Sequence, residues 1–135
     1  MTSIFSRIIA GEIPAFKVAE DDRFLAFLDI NPIAKGHTLV VPKEEIDYIF
    51  DIPDTLLGDL VAFSKRVALA IEDVVPCKRI GVAVIGLEVP HAHVHLIPLQ
   101  TIYDIDFKKP KLQFSMEELD AIASSIADSY TKRFV

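Results

Sequence analysis

At 135 residues the chain has the size of one ordinary domain, and a chain of this length hides roughly two-thirds of its unfolded surface on folding. Its 14 Lys and Arg against 20 Asp and Glu give a formal charge of −6, and no basic stripe could neutralise a run of phosphates, which argues against long nucleic acids as partners. Apolar residues make up 51% of the chain and charged ones 25%, a globular composition leaning apolar, so some apolar surface is expected to lie against a partner subunit in a homodimer.

From the N-terminus, Met1 to Ile13 interleaves Arg7 and Glu12 with isoleucines and lacks the continuous apolar stretch of a signal peptide. No run is long enough to cross a membrane. A single cysteine, Cys77, cannot form an intrachain disulfide and reads as a small apolar residue, so the cytoplasm is the expected compartment.

Ser3 can cap a short helix that Gly11 ends. Phe16 to Glu20 and Phe24 to Asp29 read as a hairpin about Asp21-Asp22-Arg23. Asn31-Pro32 breaks the chain, His37 to Val41 reads as a third strand, and one helical turn is expected over Glu44 to Ile49. A long amphipathic helix then starts from Asp51 or Asp54, either of which could cap it, with Leu57, Leu60, Val61, Ser64, Val67, Ala68, Ile71 and Val75 as its core face. Ile80 to Ile85 and His91 to Leu99 read as strands. Ser115 and Glu118 make a capping box before a helix over 116–134 that carries Leu119, Ile122, Ala123, Ile126 and Tyr130. The expected fold is α+β: an antiparallel sheet of about five strands, one long amphipathic helix, a short N-terminal helix and a C-terminal helix, as a single domain over 1–135.

Three of the four histidines, His91, His93 and His95, alternate within five residues. On a strand they point one way, about 6.6 Å apart, while Ala92, Val94 and Leu96 point the other way into a core. No packing need explains three imidazoles in a row, so this face is functional. Two chemistries could use it: a zinc site shared by neutral imidazoles, or covalent catalysis by a ring whose one nitrogen is held in a hydrogen bond.

His91-Ala92-His93-Val94-His95-Leu96-Ile97 resembles the His-φ-His-φ-His-φ-φ signature of the histidine triad nucleotide hydrolases. The resemblance extends over Ile4 to Ala15, Phe27 to Ile30 and Gly36 to Lys43, in the family's order, and covers the chain to about Leu99. It implies that His93 attacks the α-phosphorus of a nucleotide, that the His91 carbonyl takes the Nδ1 proton of His93, and that His95 and His37 manage protons at the leaving group. It implies further that Asp29 binds the ribose hydroxyls and that Ile4, Phe5, Ile8, Phe27, Leu28 and Ile30 form the slot for a base, with a purine nucleotide as substrate and no cofactor.

Three departures from the family pattern stand out. The segment Gly86-Leu87-Glu88-Val89-Pro90 is shorter than the usual loop before the triad, with Glu88 and Val89 at its site end and Val84 where an Asn usually contacts the sugar. A carboxylate about 4 Å from the reacting phosphate would repel a polyphosphate by about 1 to 4 kcal/mol, which favours a phosphoramidate or an amine leaving group. The N-terminus lacks the cysteines with which some relatives bind structural zinc, so no structural metal is expected. The segment 100–135 is a longer C-terminal extension, with Tyr103, Phe107 and Phe114 available to cover the site edge or a partner subunit. The leading expectation is a nucleoside phosphoramidate hydrolase. Dinucleoside polyphosphate cleavage, nucleotide binding with little turnover, and a zinc protein using the histidine row are the alternatives.

Overall fold

In the computed structural model, which describes residues 2–135, the side chain of Ser3 accepts a hydrogen bond from the Ser6 N–H and opens helix α1 (Ile4–Ile9). Met1, where the stretch read for a leader begins, lies outside the described residues. Gly11, with φ of +81°, turns the chain away after α1, a conformation that costs glycine nothing and a larger residue about a kcal/mol or more.

Strands β1 (Lys17–Glu20), β2 (Phe24–Leu28), β3 (Thr38–Pro42), β4 (Arg79–Ala83) and β5 (Val94–Leu99) form one antiparallel sheet in the order β1-β2-β3-β5-β4. Helices α2 (Asp54–Val74) and α3 (Met116–Phe134) pack on one face of the sheet, and α1 packs on the other. Alternation along β2 divides its side chains between these faces. Phe24, Ala26 and Leu28 enter the large core beneath α2 and α3, while Leu25 and Phe27 join Phe5, Ile8, Leu39 and Val41 under α1. Among the described residues no helix is long and apolar enough to cross a membrane.

Strand β4 ends at Ala83, not Ile85, and two further element expectations need correction. Strand β5 begins at Val94, not His91, because the backbone just before it is occupied elsewhere: the Ala92 N–H donates to the Ile46 carbonyl at 2.7 Å rather than to a neighbouring strand. The same bond holds the segment expected to form a turn of helix over Glu44 to Ile49, and the only helical turn there is a 3₁₀ turn at Ile49–Asp51. The alternation survives the correction, since Ala92, Val94 and Leu96 all face the large core.

Helix α2 follows Pro53 with no side-chain cap, so neither Asp51 nor Asp54 caps it. Its buried face is Leu60, Phe63, Ser64, Val67, Ala70 and Ile71, and each fully buried large side chain contributes about 2 kcal/mol. Val61, expected in this face, is 59% exposed, and with Leu57 and Ala68 it lines an apolar groove of about 410 Å³ against Val82 and Val84 beside the edge strand β4. In α3, Ser115 and Glu118 form both halves of the capping box, and Leu119, Ile122, Ala123 and Ile126 are buried. On the way to α3 the chain crosses β4, where Gly81 leaves room for Ile105; a Cβ there would come within 2.5 Å of the Ile105 side chain.

Candidate functional site

The strand register builds the site. Phe27 of β2 pairs with Leu39 of β3, and Leu39 pairs with His95 of β5, so His95 lies on the face of the sheet that carries α1. His37 stands just before β3, and Asp29 just after β2 donates its N–H to the His37 carbonyl at 3.0 Å. Around them is a cavity of about 620 Å³. Its walls are Ile4 and Phe5 from α1, Asp29 to Asn31, His37 and Leu39, the loop Ile85 to Val89, His93 and His95, and Phe107 with Lys111 from the C-terminal segment.

Hydrogen bonds assign each imidazole a tautomer, because a backbone carbonyl can only accept and a backbone N–H can only donate. Nδ1 of His93 lies 2.8 Å from the His91 carbonyl, so Nδ1 carries the proton and Nε2 keeps its lone pair. At His37 the order is reversed: the Ile33 N–H donates to Nδ1 at 3.2 Å, and Nε2 therefore carries the proton. That proton is donated to Nδ1 of His95 at 2.9 Å, which leaves the His95 proton on Nε2. One wall of the cavity thus offers an imidazole lone pair at His93 and a neighbouring imidazole N–H at His95, their ring centres 5.0 Å apart.

Burial keeps His37 and His95 neutral. It lowers the pKa of His37 to about 3 and that of His95 to about 4, with the neighbouring histidines and Lys111 pushing the same way. The Asp29 carboxyl moves up from its ordinary value because it is desolvated, against the opposing pull of the Asn31 N–H, which donates to Oδ1 at 2.8 Å. The polar atoms of Asp29, His37 and His95 lie within 4.8 Å of one another, near enough to surround a cation. The donor set is unsuited to one, since the Ile33 N–H occupies the single lone pair of neutral His37, and a metal at Nε2 would require breaking that bond.

Of the residues singled out from sequence, Ile4, Phe5, Asp29, Ile30, His37, Glu88, Val89, His93 and His95 line the cavity. Ile8 and Phe27 lie behind it in the core under α1. Leu28 is a correction: one residue on from Phe27, it points through the sheet into the opposite core. The His91 ring is fully buried outside the cavity, its Nε2 donating to the Pro42 carbonyl at 2.7 Å. Of the three extension aromatics, Phe107 places its ring centre 4.8 Å from that of His95, whereas Tyr103 is exposed and Phe114 packs on the helical core. The sequence reading missed Lys111, whose Nζ sits 5.7 Å over the Phe107 ring and donates to the Phe107 carbonyl at 3.0 Å. It lies in an irregular segment with no periodicity to reveal which way it faces.

The HIT domain family matches residues 10–102. The chain is 38% identical over 134 residues to Protein hit of Bacillus subtilis, covering 92% of this chain and 91% of the relative. It is 35% identical over 130 residues to the adenosine 5'-monophosphoramidase hnt1 of Schizosaccharomyces pombe, covering 94% and 97%. Among solved structures, the Hit-like protein of Bartonella henselae superposes with a TM-score of 0.84 at 31% identity, covering 95% of this chain and 96% of that one. With the triad of histidines, the antiparallel sheet that presents it and these relatives in agreement, the chain belongs to the histidine triad (HIT) family.

Proposed function

We propose that the protein is a nucleotidyl hydrolase that passes a nucleoside monophosphate through His93 to water, with a nucleoside phosphoramidate as its preferred substrate. The observation that carries this reading is the His93 ring itself: its Nδ1 proton is committed to the His91 carbonyl, and the remaining nitrogen is a lone pair on a ring at the cavity wall. That relatives in two yeasts are named adenosine 5'-monophosphoramidases supports the choice of bond and of a purine base.

In the first step Nε2 of His93 attacks the α-phosphorus, a P–N bond forms to the ring, and the bond to the leaving amine breaks. The amine takes a proton from Nε2 of His95, whose Nδ1 stays hydrogen-bonded to the Nε2–H of His37 at 2.9 Å. In the second step water adds to phosphorus and gives a proton back to Nε2 of His95, the bond to His93 breaks with its electron pair returning to the ring nitrogen, and the nucleoside monophosphate leaves. Asp29 would accept the ribose hydroxyls, and Ile4, Phe5, Ile30 and Val89 would face the base. No cofactor enters either step.

Glu88 lines the same cavity and favours an amine leaving group over a polyphosphate, which would add negative charge beside a carboxylate. His93→Ala tests the assignment: turnover of adenosine 5'-phosphoramidate should vanish from a folded protein, and full activity would remove His93 from the role. Rates on the phosphoramidate and on a diadenosine polyphosphate, compared in the parent protein, separate this reading from a dinucleoside polyphosphate hydrolase. Tight binding of a monophosphate with no turnover of either would instead mark a binding module.

The working unit in this reading is a homodimer. The apolar groove between α2 and β4, with Phe50, Val61 and Val82 mostly exposed beside an unpaired strand edge, is the surface a second copy would cover. The cytoplasm is the proposed compartment, consistent with the free thiol of Cys77.

A further inference from the structure

The His91 ring takes no part in the chemistry above, yet it is fully buried and held at both nitrogens. Its Nε2 donates to the Pro42 carbonyl at 2.7 Å, which leaves Nδ1 as an acceptor. The Ser3 hydroxyl lies 2.8 Å from that Nδ1 and supplies the proton. Ser3 is itself fixed: its Oγ accepts from the Ser6 N–H at 3.0 Å, and its own N–H donates to Oε1 of Glu45 at 2.6 Å. The Ser6 hydroxyl donates to the same carboxylate oxygen at 2.7 Å. These donors draw the Glu45 carboxyl down to about 2, so it is ionised throughout the working range.

The bonds form a continuous path. Glu45, on the segment after β3, grips the start of α1; Ser3 at that start holds the His91 ring; and the His91 carbonyl holds Nδ1 of His93. Helix α1 reaches His93 by a second route as well, since the Phe5 and His93 rings form a T-shaped pair with centres 4.9 Å apart. No buried side-chain nitrogen or oxygen along the path lacks a hydrogen-bond partner, the condition under which a buried polar network rigidifies its surroundings.

We propose that Ser3 and Glu45 are positioning residues for the hydrolysis: they clamp the His91 ring so that its backbone carbonyl holds His93 in the attacking tautomer and orientation. This rests on His93 as the nucleophile. A clamp that merely stapled α1 to the sheet would change stability when cut, but would leave the His93 Nδ1–H resonance and the rate of the bound substrate as they were.

The experiment combines steady-state kinetics on adenosine 5'-phosphoramidate with ¹⁵N–¹H spectra of the imidazole rings in the parent protein, Ser3→Ala, Ser3→Thr and Glu45→Gln. Ser3→Ala should lower kcat about tenfold, the barrier equivalent of one lost hydrogen bond, with KM within about twofold. It should also move the His93 Nδ1–H resonance and that of His91 Nδ1, which loses its hydroxyl donor, while the Pro42 carbonyl keeps the His91 proton on Nε2. Ser3→Thr, which keeps the hydroxyl, should restore both, and Glu45→Gln should fall between. Unchanged kcat or unchanged ring resonances in Ser3→Ala would overturn the clamp. If Ser3→Ala does not fold, Glu45→Gln at the exposed end of the path decides by the same two readouts. Because the spectra do not need turnover, a parent protein that fails to hydrolyse the substrate counts against His93 as nucleophile, while the His91 and His93 ring resonances of the variants still judge the clamp.

Discussion

His37 and His95 share one proton across 2.9 Å, donated by Nε2 of the first to Nδ1 of the second, and the backbone N–H of Ile33 fixes the direction of that donation. The consequence is a neutral His95 with its proton on Nε2, the proton that the proposed mechanism gives to the leaving amine. His95→Ala should therefore lower kcat on a phosphoramidate by about a hundredfold, the usual scale for losing a general acid. His37→Gln should lower it less, because Nε2 of His95 would remain in place without a fixed tautomer. Equal kcat in the parent and both variants would show that the pair has no part in proton transfer.

The same two histidines make the fold sensitive to acid. Their folded pKa values, about 3 and about 4, lie below the unfolded value of 6.5, so in acid the unfolded chain binds more protons than the folded one. The stability they contribute is complete above that unfolded value and is lost as pH falls toward the folded ones. One such histidine is worth roughly 3 kcal/mol between neutrality and about pH 4. Urea midpoints should fall between about pH 6.5 and 5, above the range in which depressed carboxyls such as Glu45 and Asp73 begin to act, and His37→Gln should flatten that slope. A flat profile in the parent would contradict the buried, neutral state.

Glu88→Gln removes the carboxylate from the cavity wall. A like charge near 4 Å costs about 1 kcal/mol in water and about 4 kcal/mol at an effective dielectric of 20, so activity toward diadenosine polyphosphates should rise at least severalfold relative to the phosphoramidate. Unchanged selectivity would mean that Glu88 does not meet the leaving group.

Val82→Glu and Val61→Glu each place a charge in the apolar groove beside β4. Sedimentation should show the parent as a dimer and both variants as folded monomers at micromolar concentration. A parent that sediments as a monomer would leave this groove to another partner.

Much of this site is written in local pattern, and some of it is not. The alternation of His91, His93 and His95 with Ala92, Val94 and Leu96 gives the functional and core faces directly, since a two-residue period is a property of any extended backbone. That β5 starts only at Val94 could not be read, because it depends on the Ala92 N–H finding the Ile46 carbonyl, a contact between segments far apart in sequence. Leu28 was assigned to the base slot by a family stretch, although the period of β2 already separates it from Phe27. In α2 an apolar stripe wide enough to serve two surfaces looked like one, and Val61 was counted as core when it belongs to the groove. Lys111 and the clamp of Ser3 and Glu45 on His91 are tertiary facts, with no spacing that announces them.

The proposed mechanism passes through a covalent bond between phosphorus and the His93 ring. The direct measurement is the intact mass of the protein quenched within milliseconds of mixing with an activated adenosine nucleotide, followed by peptide mapping. An added nucleoside monophosphate on the peptide carrying His93, absent in His93→Ala, is the predicted result. Product formed in the same mixing time with no added mass on any peptide, or with the mass on another residue, would contradict it.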